Sequence, residues 1–257
     1  EAAQHNKYRR ICEKLALSSR DHVLEIGCGW GGFALHAAGE FGARVTALTI
    51  SREQFSLASE RVQAAGLGNR VEVRFQDYRQ TAGSFSRIAS VEMLEAIGHA
   101  QLPTFFAACD RLLEPQGLAC IQTIAMPDQR YERYRRRTDW IREYIFPGAN
   151  LPSLTAVAAA LTRASALTIH DVEDIGIHYA KTLRLWRERF HANIDAVRAL
   201  GYGPRFERTW DFYLASCEAG FAIRALRDLQ LVLTRPLNSS LPDYPQPNAG
   251  SRTPAHR

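Results

Sequence analysis

The chain has 257 residues, 46% of them hydrophobic and 23% charged, which fits a globular protein with a real core: one large α/β domain or two small ones. No apolar run is long enough to span a bilayer, no signal peptide is expected, and the five scattered cysteines form neither a CxxC pair nor a metal-ligand spacing. These features argue against a membrane span, a disulfide framework and a metal site, and point to a reducing, cytoplasmic setting; the formal charge of +5 suits an anionic partner without requiring one.

Residues 5–17 place Tyr8, Ile11, Cys12 and Leu15 at helical spacing. Residues 22–26 read as a short apolar strand, followed by a glycine-rich turn and a helix over 31–41. Residues 44–50 form a second strand, and Ser51 with Gln54 makes a capping box for the next helix. Strands follow at 70–75 and 87–93. An amphipathic helix over 101–113 is stopped by Pro115 and Gly117, and a fifth strand covers 117–124. This alternation predicts an α/β fold, a doubly wound and mostly parallel sheet with helices on both faces. Then the pattern changes. Residues 127–147 are rich in Arg and aromatics, 153–166 read as helix, 167–176 as strand, 178–199 as one long helix, 204–227 as helix and 229–235 as a closing strand. The insertion at 127–166 and the helices of 178–227 are expected to cap the sheet. Residues 236–257 hold five of the eleven prolines and are expected to be a disordered tail.

The run from Glu25 through Gly27, Cys28, Gly29 and Gly31 to Gly32 fits two templates. One is G-x-G-x-x-G, the dinucleotide fingerprint. The other is an acidic residue two positions before G-x-G-x-G, the pattern of S-adenosylmethionine-dependent methyltransferases. Both use glycine for positive φ and close approach of backbone to ligand. The dinucleotide reading wants a carboxylate at the end of the second strand for the ribose, and none is there. Ser51 and Gln54 offer neutral partners instead, and Asp77 with Tyr78 follows the third strand where an adenine edge would lie.

Beyond these, VLEIGCGWGGFA, VTALTISREQ, QDYR, SVEMLEAIG, CDRLLEPQG, QTI, YIFPGANLPS, HYAKTLRLWRERF and FYLASCEAGF occur in one order over residues 4–235. The chain thereby resembles the cyclopropane-fatty-acyl-phospholipid synthase family, which includes the mycolic acid cyclopropane synthases. The resemblance implies a class I methyltransferase (Rossmann-like) fold with a seven-stranded sheet and a helical cap over an acyl site. It implies transfer of a methylene group from S-adenosylmethionine to the double bond of an unsaturated phospholipid acyl chain. Carried over, Glu25, Gly27, Cys28, Gly29, Gly31, Thr49, Ile50, Ser51, Gln54, Asp77 and Tyr78 would serve the cofactor. The family's bicarbonate ion would map to Glu95, the backbone at Ile124, and Tyr179, with Gln122 where the family commonly has His; Cys217 stands where an active-site cysteine was once assigned, although a small thiol on a packed helix face suits a core equally.

Two departures stand out. The family's Tyr-Ser-Cys segment before the first helix is absent from a chain that starts at Glu1 and holds only Met93 and Met126, so the native N-terminus is read as missing. Gln122, with EMLEAIG and PDQRYERYR, resembles one branch of the family; some relatives make methyl-branched or methylene products rather than cyclopropanes.

The chemistry demands an in-line methyl, a dry pocket for a carbocation and a proton acceptor. Tyr179, Trp186, Phe190, Phe212, Tyr213 and Phe221 are aromatic candidates on the cap, or simply core. Strand alternation and a turn separate Glu92 from Glu95, and Glu95 is favoured as the carboxylate in the site, either as base or as the group orienting bicarbonate. His99 reads as exposed and His178 as a neighbour of Tyr179. The Arg130, Arg133, Arg135, Arg136 and Arg137 stretch, interleaved with Tyr131, Tyr134 and Trp140, suits an anionic membrane surface or a solvated helix face; no nucleic-acid motif accompanies it. Peripheral membrane association is expected, and a homodimer is compatible with the sequence. A small-molecule methyltransferase and a non-catalytic cofactor- or lipid-binding remnant remain alternatives.

Overall fold

In chain order the elements are α1 (Ala2–Lys14), β1 (His22–Ile26), α2 (Gly32–Phe41), β2 (Arg44–Thr49), α3 (Arg52–Ala64), β3 (Val71–Phe75), β4 (Phe85–Val91), α4 (Leu102–Leu112) and β5 (Leu113–Ala125). There follow α5 (Asp128–Arg135), α6 (Trp140–Tyr144), α7 (Leu154–Ala164), β6 (Thr168–Asp174), α8 (Gly176–Ala192), α9 (Ile194–Ala199), α10 (Pro204–Ala222) and β7 (Arg227–Thr234). The structure is a computed structural model and describes residues 1–239 and 241.

The strands form one seven-stranded sheet in the order β3-β2-β1-β4-β5-β7-β6. The first five are parallel, and β7 runs antiparallel to both β5 and β6. Both faces are covered, so side chains of successive residues join opposite layers. Leu24 and Ile26 enter the core shared with α4 and α7, while Val23 enters the core shared with α1 and α2. The carboxyl ends of β1, β2, β3 and β4 therefore converge on one rim, where open parallel sheets bind ligands.

Several boundaries differ from the sequence-based expectation. β5 starts at Leu113, four residues early, because the register slips between Phe85 and Arg87 and Pro115 sits in that irregularity. β4 ends at Val91, since Glu92 has φ +52 and leaves the strand. The long helix of 178–199 is broken at Asn193 (φ −112, ψ 22) into α8 and α9. The cap expected over 127–166 is shorter: Ala156, Val157, Ala160 and Leu161 of α7 lie in the sheet's own core beside α4. The cap proper is α8 and α10, whose Ala180, Leu183, Leu214 and Phe221 form a separate small core reaching the sheet through Ile124 and Leu226. The first residues of the expected tail are held in place: Asn238 is buried and its side-chain amide donates to the Thr234 hydroxyl (2.7 Å) and the Gln116 carbonyl (3.2 Å). The remainder of that expectation, at 240 and 242–257, lies outside the described residues.

Candidate active site

The turn after β1 is built from backbone. The amides of Gly27 and Cys28 both donate to the Leu48 carbonyl (3.1 and 2.8 Å), which locks the turn to the end of β2. Gly27 has φ +84, and a Cβ there would lie 2.8 Å from Met93 Cγ, so glycine is needed for conformation and for space. An open cleft of about 510 Å³ lies beyond this turn, lined by Gly27, Gly29, Thr49, Ile50, Gln54, Asp77 and Tyr78 among others. Glu25 and Cys28 line an adjoining cleft with Tyr8 and Arg61, and Gly27, Gly29 and Glu92 border both.

Two of the expected cofactor residues line neither cleft. Gly31 is the left-handed N-cap of α2 and packs on Ala58. Ser51 is the N-cap of α3, its Oγ accepting from the Gln54 amide (3.3 Å). The capping box is only half formed: the Gln54 side chain accepts from the Thr49 hydroxyl (2.8 Å) and so turns to the cleft side. Asp77 is held below the usual carboxylate range by the guanidinium of Arg79. Burial pushes Glu25 well above it, and one of its oxygens has no partner among the described residues.

Glu92 and Glu95 follow β4 and are held differently. Glu95 Oε1 accepts from the Thr123 hydroxyl (3.0 Å) and the Ile124 amide, and burial raises its carboxyl to about 7. It lines neither of the two clefts. Glu92 does, although Glu95 was the carboxylate favoured from sequence; its left-handed backbone begins the turn that separates the two. Its carboxylate accepts from Gln122 Nε2 (2.9 Å) and from the Tyr179 hydroxyl (3.0 and 3.2 Å), with Lys7 Nζ at 3.7 Å. Burial and the Glu92 charge push the Tyr179 phenol far up, so it remains a donor.

Behind this pair lies a buried layer that sequence reasoning missed. Gln122 Nε2 also donates to Asp228 Oδ2 (3.0 Å), and Gln230 Nε2 donates to Gln122 Oε1 (3.1 Å). Gln122, Asp228 and Gln230 are fully buried, so Gln122 does not face the site as an open donor. Burial, reinforced by the Glu92 carboxylate, raises Asp228 to about 8. Neighbouring strand positions Gln122 and Gln230 are paired across β5 and β7, but nothing local in the sequence announces it.

Cys217 packs against the α8–α10 core with its thiol raised by burial to about 11, the state of a structural rather than a reactive cysteine. Tyr179 and Phe221 rings lie 5.0 Å apart, and Tyr213 meets Phe146 at 5.8 Å. Phe212 is half exposed and packs edge-on to Trp140 at 4.7 Å. His99 is exposed, with Nδ1 2.8 Å from the Tyr131 hydroxyl, and His178 lines an outer cleft between α1 and α8. In the Arg-rich stretch Tyr131 is buried, Arg135 and Arg136 pair with Glu132, and Arg130, Arg133 and Arg137 are exposed. Among the described residues no His, Cys, Asp and Glu group could hold a metal, and no helix is long and apolar enough to cross a membrane.

Residues 1–231 match the family model described as mycolic acid cyclopropane synthetase. Tuberculostearic acid methyltransferase UfaA1 of Mycobacterium tuberculosis is 43% identical over 234 residues, covering 91% of this chain and 55% of its own length. Cyclopropane-fatty-acyl-phospholipid synthase of Escherichia coli K12 is 37% identical over 246 residues, covering 94% of this chain and 60% of its own. The chain thus spans somewhat over half the length of these relatives. Among solved structures, mycolic acid cyclopropane synthase CmaA1 complexed with SAH and CTAB superposes with a TM-score of 0.83 at 27% identity, over 91% of this chain and 85% of that one.

Proposed function

Because the chain belongs to the mycolic acid cyclopropane synthetase family, with its class I methyltransferase fold, we propose that it transfers a one-carbon unit from S-adenosylmethionine to the double bond of an unsaturated phospholipid acyl chain. The observation that carries this reading is the glycine-built cleft at the ends of β1 and β2, whose rim includes a carboxylate tied to an aromatic, separately cored cap. The cofactor supplies an electrophilic methyl group when bound. The chain holds it with the Gly27–Gly29 backbone, offers Thr49 and Gln54 to the ribose, and flanks the adenine with Asp77 and Tyr78. Buried Glu25 lines the adjoining cleft. Methylation of an alkene leaves a carbocation on the acyl chain, and the ring faces of Tyr179, Tyr213 and Phe221 shelter such a charge from water.

Loss of a proton then closes a cyclopropane. A methylene-branched product, from loss of a different proton, is the second reading; the higher identity to a named methyltransferase than to a named cyclopropane synthase favours it. Exposed Arg130, Arg133 and Arg137, near half-exposed Tyr144 and Phe146, support docking on an anionic membrane surface. The test is incubation with unsaturated phospholipid vesicles and methyl-labelled S-adenosylmethionine, with products resolved by mass spectrometry and NMR. Label in the acyl chain is expected, and ring or methylene proton signals separate the two products. Label that appears only in a small-molecule acceptor, or in none, overturns the proposal.

A further inference from the structure

The donors that the family resemblance assigns to bicarbonate are already taken by the chain's own carboxylates. Gln122 gives one amide hydrogen to Glu92 and the other to Asp228, and its carbonyl is fixed by Gln230. With both ends engaged, this amide has no hydrogen left for another ligand. The Tyr179 hydroxyl serves Glu92, and the Ile124 amide serves Glu95. A bicarbonate ion would have to displace a carboxyl group from each donor and then sit beside the Glu92 carboxylate in a poorly solvated site, where like charges repel most strongly. The residues present do not fit that ion.

They fit a carboxylate that is already there. Glu92 holds a left-handed backbone (φ +52), which is uncommon for a residue with a side chain and persists only when its surroundings enforce it. Three groups from three separate elements do so: Lys7 of α1, Gln122 of β5 and Tyr179 of α8. The residue so held borders both clefts around the glycine turn.

We infer that this chain carries its own anion: the Glu92 carboxylate stands in place of bicarbonate and accepts the proton lost from the methylated acyl chain. The inference rests on the methyl-transfer reading above. In the step assigned to Glu92, a C–H bond of the acyl cation breaks. Its electron pair forms the last ring bond, or a new C=C bond in the methylene product. The proton becomes the O–H of a neutral Glu92 carboxylic acid, which later returns it to water.

Two readouts keep this inference separable from the reading beneath it. The first is ¹³C NMR of labelled bicarbonate with the whole chain saturated by S-adenosylhomocysteine. The wild-type chain is expected to leave the bicarbonate line unchanged. Glu92→Gly suits the left-handed backbone and frees Gln122 and Tyr179, and it is expected to broaden the line. Broadening by the wild type, relieved by excess unlabelled bicarbonate, overturns the inference. The second readout is methyl transfer in CO2-free buffer. Wild-type turnover is expected to be indifferent to added bicarbonate, and Glu92→Gln to lose about 10²-fold or more. Glu92→Gly is expected to be as slow, yet to recover at least about tenfold when bicarbonate is added. A wild-type rate that rises about tenfold with bicarbonate, or a Glu92→Gln chain with wild-type turnover, overturns it. If no protein turns over any lipid, the methyl-transfer reading fails, and the NMR experiment alone decides whether Glu92 excludes the ion.

Discussion

The two halves of the sheet present polar groups in different ways. In the β1–β2–β3 half the cleft is shaped by main chain and by residues close in sequence: a glycine turn pinned to Leu48, a cap at Ser51, and Thr49 bonded to Gln54 five residues on. In the β4–β5–β7 half it is shaped by side chains from distant elements; Tyr179 reaches Glu92 over 87 positions, and Gln230 reaches Gln122 over 108. Local construction tolerates change in its surroundings. A long-range network is satisfied completely or is costly, because each unpaired buried polar group carries its full desolvation penalty.

The largest effect should come from the cap. Phe221→Ala removes a ring from a core of four buried side chains, and about 3–5 kcal/mol should be lost in denaturant unfolding. If the two halves differ as described, S-adenosylhomocysteine affinity in calorimetry should survive while lipid turnover collapses. Equal loss of both would show one cooperative site. The converse change is Gly27→Ala. It forces a side chain into a left-handed conformation at about 1–2 kcal/mol and pushes a methyl against Met93, so cofactor affinity should fall with the polar layer intact.

A third test uses pH. Asp228 and Glu95 keep their protons in the folded chain up to about 8 and about 7, whereas the unfolded chain releases them in the ordinary carboxylate range. The folded state thus binds more protons between those limits. Stability is full below the ordinary range and falls as pH rises toward 8, by at most about 1.4 kcal/mol per unit for each group. Asp228→Asn should flatten the curve measured by urea unfolding from pH 5 to 8; an unchanged slope would remove Asp228 from the account. The smallest effect is expected from Cys217→Ala, since a thiol raised to about 11 is neutral and merely packed; lipid turnover should be retained.

This contrast also explains what could be read from sequence. Period-two runs and the spacing of Gly27, Gly29 and Gly31 place the parallel strands and the cleft. Both depend on a few adjacent residues. Pro115 inside β5, the break at Asn193 and the return of α7 to the sheet core were not legible, because tertiary packing overrode local signals there. Glu92 is a sharper case. Sequence places a turn between Glu92 and Glu95, but not the positive φ at Glu92 with which that turn begins, nor the cleft it brings Glu92 to. Asp228 and Gln230 carry no motif at all; their role exists only through strand pairing with β5.

The position of β7 bears on how the molecule is made. It lies between β5 and β6, and β6 pairs with no other strand. During synthesis β6 must therefore wait, unpartnered, through the whole of α8, α9 and α10. β5 meanwhile presents an open edge of the kind that invites intermolecular pairing. The same late strand delivers Asp228 and Gln230. A nascent chain halted before Arg227 would own a finished nucleotide rim and an unfinished polar layer, so competence to hold a cofactor should emerge from the ribosome earlier than competence for chemistry.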